Sequence, residues 1–249
     1  MSTIYISLKA HSRLQNYLED KGHVIQGWIT RNIIDKDLSC HPDMFMCKMG
    51  VAPDSHMIFS SPTDFANLPI RRIVEYPKSI AFNAACTGKY FIHNLAYTNM
   101  RLISTARHLN MSLINVHQGY TKCSVVVVDQ NSIITYDKGI AMACAPYAPG
   151  NGPQSGPVGS GVSDDGATSA AGLSVLLVSP GHVKLPGYDT GLIGGASGRI
   201  GDEVIFNGNL AAHPDFERIK NFIEARGLKC VWFEGYPLTD IGSFFEFEQ

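Results

Sequence analysis

The chain has no pair of cysteines at Cys-x-x-Cys spacing. Its six cysteines, Cys40, Cys47, Cys86, Cys123, Cys144 and Cys230, are scattered, which excludes the usual zinc-finger and thioredoxin-type redox patterns. Long apolar runs are also missing. Val125–Val128 and Leu173–Val178 fall far short of the ~20 residues a membrane-spanning helix needs. Neither sign of charge dominates: 20 Lys and Arg stand against 22 Asp and Glu, a formal net charge of −2. The basic excess of a nucleic-acid binder is therefore absent. No secretory segment is evident, because Met1-Ser2-Thr3-Ile4-Tyr5 enters a predicted strand. The expectation is a cytoplasmic protein with reduced thiols, with neither a membrane nor a nucleic acid as partner. Nothing in the sequence fixes an oligomeric state.

What the sequence does contain is a weak internal repetition. Polar or Gly-rich stretches recur, each feeding an apolar strand. They are Cys40–Met46, Asn83–Ile92, Gln118–Val126, Pro186–Ile193 and Gly235–Phe245. With Asp43, Cys86, Lys122, Thr190 and Asp240 as markers, the steps are roughly 43, 36, 68 and 50 residues, the scale of supersecondary repeats. Units of this size cannot bury a face alone, so they pack on one another and their equivalent loops converge.

Between the motifs the pattern reads as hairpin, helix, strand. Short β-branched or aromatic runs bounded by turn residues predict strands, among them Thr3–Ser7, Tyr90–His93, Ser124–Asp129, Ser132–Tyr136, Glu203–Phe206 and Ser243–Phe247. Helices are predicted over about 12–20, 99–109 and 214–226. In the last of these, Phe216, Ile219, Phe222 and Ile223 form one stripe and Gly227 is the stop. A Gly/Pro/Ser-rich stretch at about 146–168 reads as a loop inserted into a single domain of residues 1–249. The last unit has one strand after its motif and lacks a second strand and a helix. Thr3–Ser7 and the helix at 12–20 supply both, so the N-terminus is expected to complete it.

Five hairpin–helix–strand units resemble the plan of the pentein, or guanidino-group-modifying enzyme, superfamily. The resemblance rests on His41-Pro42-Asp43-Met44, Gln118–Ser124, Leu185–Gly198 and Leu238–Gly242, which together span most of the chain. It implies an α/β fold, a five-bladed pseudo-fivefold propeller of ββαβ-type repeats. It also implies one of two roles. The first is hydrolysis or transfer at an amidino or guanidino C–N bond of a small, cationic, nitrogen-rich ligand in a central channel, without a cofactor. The second is a non-catalytic scaffold that binds a small ligand or a protein or ribosomal partner. In the enzymes of that superfamily the nucleophilic cysteine lies in the last unit. Here the corresponding neighbourhood, Asp240-Ile241-Gly242, is followed by Ser243.

Cys123 is the alternative nucleophile, beside Lys122 and six residues after His117. A nearby cation would raise the thiolate fraction. If both residues lie in a strand, however, Lys122 and Cys123 point to opposite faces, and Cys123 also reads as a structural thiol. Asp43, Asp189 and Asp240 sit at or near equivalent loop positions, where they would hold a cation or cap their own turns. On the enzyme reading His41 or His117 carries protons. The spacing of Cys40, His41 and Cys47 matches no standard structural zinc pattern, so no metal is expected. Ile193–Gly198 lacks the residues of a phosphate loop and reads as a bend or a close backbone approach.

Overall fold

The computed structural model describes residues 2–28, 37–61, 75–149 and 172–248. Most of the loop expected at 146–168 lies outside them, as do residues 72–74 of Arg72–Tyr76, a short β-branched and aromatic run that also predicts a strand. The chain opens with β1 (Thr3–Ser7), α1 (Ser12–Asp20) and β2 (Val24–Trp28). An antiparallel pair follows, β3 (Met46–Lys48) with β4 (Met57–Phe59). The hairpin β5 (Ala85–Cys86) and β6 (Tyr90–His93) leads into α2 (Met100–His108), and β7 (Ser112–Asn115) returns parallel to β6. A single helical turn, α3 (Thr121–Ser124), precedes the hairpin of β8 (Val125–Asp129) and β9 (Ser132–Thr135). Then α4 (Lys138–Cys144) leads to β10 (Ser174–Leu177), parallel to β9. The hairpin β11 (Ser197–Ile200) and β12 (Glu203–Phe206), α5 (Phe216–Glu224) and β13 (Lys229–Val231), parallel to β12, repeat the pattern.

The last strand, β14 (Phe245–Phe247), pairs antiparallel with β1, with Thr3 opposite Phe247 and Tyr5 opposite Phe245. β1 in turn pairs in parallel with β2. The two ends of the chain thus build one hairpin–helix–strand unit between them, as its incomplete last repeat requires. The protein is a mixed α/β fold, with five small sheets among the described residues. Among the described residues no helix is long and apolar enough to cross a membrane.

The helices form where apolar stripes meet a cap. Asn99 accepts from Arg101 N at the start of α2, and Asp137 from Ile140 N at the start of α4. Four hydrophobic clusters are each shared by consecutive units. Ile4, Ile6, Leu14 and Leu18 of the closing unit pack with Ile200 and Ile205 of the unit before it. Val126 and Ile134 pack with Val204, Phe206, Ile219 and Ile223. Each such fully buried aliphatic side chain contributes about 1.5–3 kcal/mol. This sharing is why no unit stands alone.

Burial grades across each sheet. β3, β5 and β8 are buried along nearly their whole length, whereas the third strands β2, β7 and β13 are partly exposed. The first strands are also neighbours in chain order: β3 lies by β5, β5 by β8, β8 by β11 and β11 by β14. The turn before β3 closes this sequence, since Asp43 N donates to Gly242 O, just ahead of β14.

Candidate functional site

Five loops, each leading into a first strand, meet at one buried place. The turn Pro42–Met44 carries Asp43 into β3. Asn83 precedes β5, and α3 presents Lys122 and Cys123 ahead of β8. Gly194 and Gly195 precede β11, and Asp240, Gly242 and Ser243 precede β14. All the polar side chains among them are buried: Asp43, Asn83 and Ser243 at 0 % exposure, Lys122 at 8 %. Lys122 and Cys123 share this place because they lie on a helical turn, not in a strand with alternating faces. The strand expected from Ser124 begins at Val125.

Asp43 is the hub. Its Oδ2 accepts the Cys123 thiol at 2.9 Å and lies 3.0 Å from Ser243 Oγ. Lys122 Nζ donates to Ser243 Oγ at 2.8 Å, so the hydroxyl links the ammonium to the carboxylate. Its single proton is shared with Gly194 O, also at 3.0 Å. Asn83 fixes the turn of α3: its Oδ1 accepts Lys122 N and Cys123 N, and its Nδ2 lies 3.3 Å from Cys123 Sγ. Lys122 Nζ also sits 5.7 Å from the centre of the Phe245 ring, a cation–π distance.

Close approach dictates the glycines. A Cβ on Gly195 would lie 2.0 Å from Asp240 Oδ1, and one on Gly242 would lie 2.2 Å from His41 Cβ. Gly242 has φ +76°, and the next residue, Ser243, holds φ +60° without being glycine. A non-glycine residue in the left-handed region costs of order 1–3 kcal/mol, which the bonds of its hydroxyl and its amide to Gly195 O offset.

Asp240 uses both oxygens on backbone amides, Gly242 N and Leu192 N. His41 Nδ1 stands 3.8 Å from Asp240 Oδ1, beyond hydrogen-bond reach. His41 Nδ1 and Asp43 Oδ1 are buried with no hydrogen-bond partner among the described residues. Burial raises the Asp240 carboxyl above its usual range and lowers the Lys122 ammonium. The Cys123 thiol is pushed well up, first by burial and then by the Asp43 charge beside it. At rest it is a protonated thiol donating to a carboxylate. A positive charge placed beside Asp43 would reverse the second of those causes.

The structure thus brings together His41, Asp43, Lys122, Cys123 and Asp240. His117 and Asp189 are exposed and lie outside the cluster. Thr190, the marker chosen for the fourth repeat, is exposed too; the residues that reach the centre in that unit are Gly194 and Gly195. Asn83 and Ser243 were not among the expected site residues. The available signal was positional: each lies two residues before a first strand. The donor atoms of His41, Asp43 and Cys123 lie within 4.8 Å of one another, close enough to converge on a metal ion as well as on an organic cation.

Five loops meeting around a buried carboxylate and thiol define a class of candidate site, not an activity. Residues 5–148 and 163–245 match the model of DUF6873, a family of unknown function, and the chain belongs to that family. No curated protein and no solved structure matches the chain.

Proposed function

We propose that this is a pentein-type α/β propeller whose centre receives a small amidine or guanidinium cation, with Cys123 attacking the amidino carbon. The fold part of the reading is supported by four hairpin–helix–strand sheets and a fifth, two-stranded one among the described residues, by first strands that neighbour one another in chain order, and by a sheet built from both chain ends. The observation that carries the chemistry is the division of labour at Asp43. One oxygen holds the Cys123 thiol, and the other is buried and unpartnered, open to an N–H of a planar cation.

The cation offsets the charge that keeps the thiol protonated. Asp43 then takes the thiol proton as sulfur bonds to the amidino carbon. Collapse of the tetrahedral adduct breaks the C–N bond. The departing amine leaves with a proton delivered through His41, whose Nδ1 is free for that role. Water hydrolyses the resulting S-amidino adduct and restores the thiol. Asp240 acts at one remove by holding negative charge 3.8 Å from His41. His117, exposed and outside the cluster, has no part in this step. Leu38, Tyr120 and Leu185 pack with Met44 beside the site, so a ligand enters by displacing apolar cover.

A second reading has its own observation. Lys122, through Ser243, already supplies Asp43 with a positive partner. On that reading the centre is a self-neutralised polar core, and the ring is a scaffold for a small ligand or a protein or ribosomal partner.

Alkylation separates the two readings. The folded chain is treated with 2-chloroacetamidine or with neutral 2-chloroacetamide, and labelled cysteines are mapped by mass spectrometry. The catalytic reading expects Cys123 to react first and with the cation at least about tenfold faster, the rate equivalent of ~1.4 kcal/mol. It also expects Asp43→Asn to remove that preference. If Cys123 reacts only after denaturation, the catalytic reading is abandoned and the scaffold stands.

A further inference from the structure

A small pocket, with a cavity volume of about 30 Å³, opens along the same first strands, further from their N-terminal ends. Every one of the five first strands, or the residue adjoining it, contributes to its wall. Its charged lining residues are Lys48, Lys122 and Arg199, and among the described residues no carboxylate lines it. Lys122 is already bonded to Ser243. Among the described residues the other two are not satisfied. Lys48, 7 % exposed, has a buried Nζ with no hydrogen-bond partner. Arg199 donates Nε to Val128 O, which fixes its guanidinium, yet its Nη1 is buried with no partner.

Two unsatisfied cationic donors in one pocket are costly unless an anion joins them. The acids among the described residues do not fill that place. Glu246 acts on both cations only at longer range, and its oxygens are taken by Ser2 Oγ and Gly201 N. Asp54 and Glu248 near Lys48, and Asp202 and Asp129 near Arg199, act in the same long-range way. The rest of the wall includes apolar Val127, Phe244 and Phe245, and its one hydroxyl, on Ser197, donates to Gly194 O.

We propose that this pocket binds a small oxyanion, a carboxylate or a phosphate, between Lys48 Nζ and Arg199 Nη1. The guanidinium presents a fixed planar donor and the ammonium a second charge, the pair of donors that such anions accept. The site goes beyond the Asp43–Cys123 chemistry and stands whether or not that chemistry occurs.

The full chain is titrated at neutral pH and constant ionic strength, with sodium chloride replaced by sodium phosphate or by sodium acetate. Thermal unfolding and titration calorimetry are the readouts. At least one anion is expected to raise Tm in a saturable way, and the stronger arm tells phosphate from carboxylate. Lys48→Met and Arg199→Gln are each expected to weaken that binding at least about tenfold, whereas Lys138→Met, at an exposed helical lysine, leaves it unchanged. Lys48→Met removes an unpaired buried charge and should fold at least as well as the native chain without added anion. A native chain indifferent to both anions overturns the proposal. So does a saturable response that survives unchanged in both pocket variants.

Discussion

The two ends of the first strands bury charge in opposite ways. Where the strands begin, Asp43, Lys122, Ser243, Cys123 and Asn83 satisfy one another through short bonds. Further along, Lys48 and Arg199 keep donors that nothing among the described residues accepts. Local backbone geometry explains the difference. At the strand starts the chain runs through turns, so amides are free for side chains: Asn83 takes two and Asp240 takes two. Within the strands most backbone groups are committed to the ladders, and a buried cation there finds few acceptors. Where a charge is buried without such partners, the missing partner is an argument for a ligand. Where it is buried with them, the argument is for architecture, unless an atom such as Asp43 Oδ1 is left over.

The sharpest way to break the contrast is to remove the hub. Asp43→Ala leaves Lys122 buried without its counter-charge and should destabilise the fold by about 3–5 kcal/mol in urea denaturation. Adding Lys122→Met should recover a substantial part of that loss; a strictly additive double variant would mean the two charges do not interact. Ser243→Ala cuts the link while leaving both charges, so a smaller loss of about 1–3 kcal/mol is expected. Ser243→Gly should fare better than Ala by the relief of φ +60°.

The smallest effect is expected at the other end, and with the opposite sign. Burial lowers the Lys48 pKa to about 8. The folded state therefore gives up a proton that the unfolded chain keeps until its ordinary value near pH 10.4. Stability at this residue rises as pH climbs from about 8 towards 10.4, and Lys48→Met should abolish that rise while being neutral or mildly stabilising at pH 7. A native chain whose stability shows no such Lys48-dependent rise would erase the difference between the two ends.

Much of this was legible in the sequence, and the exceptions are instructive. Strands such as Tyr90–His93 and Glu203–Phe206 carry enough β-branched and aromatic residues to announce themselves. Ser197–Ile200 does not, because Ser-Gly-Arg reads as the tail of a glycine-rich bend. The unpaired strand at the end of the chain pointed correctly to Thr3–Ser7 as its partner. Side-chain chemistry misled in the fourth repeat. Asp189 and Thr190 drew the eye, but that unit's contribution to the centre is bare backbone, so Asp189 stays in solvent. His117 was linked to Cys123 by proximity in sequence, yet the chain turns between them and only the cysteine goes inside. Lys48 was invisible because a lysine at a strand end normally reaches water, and only the packing of five sheets denies it that.

The pairing of Thr3 with Phe247 also constrains how the protein is made. β1 is made well before its antiparallel partner β14, with the other four sheets between them. Until β14 is made, one edge of β1 has no native neighbour, an open edge of the kind that invites pairing with the wrong chain. The sheet is thus fastened by a strand made long after the one it holds, like a belt whose buckle is sewn on late. A chain stalled before β14 would keep the other four sheets and still be unable to fasten the fifth.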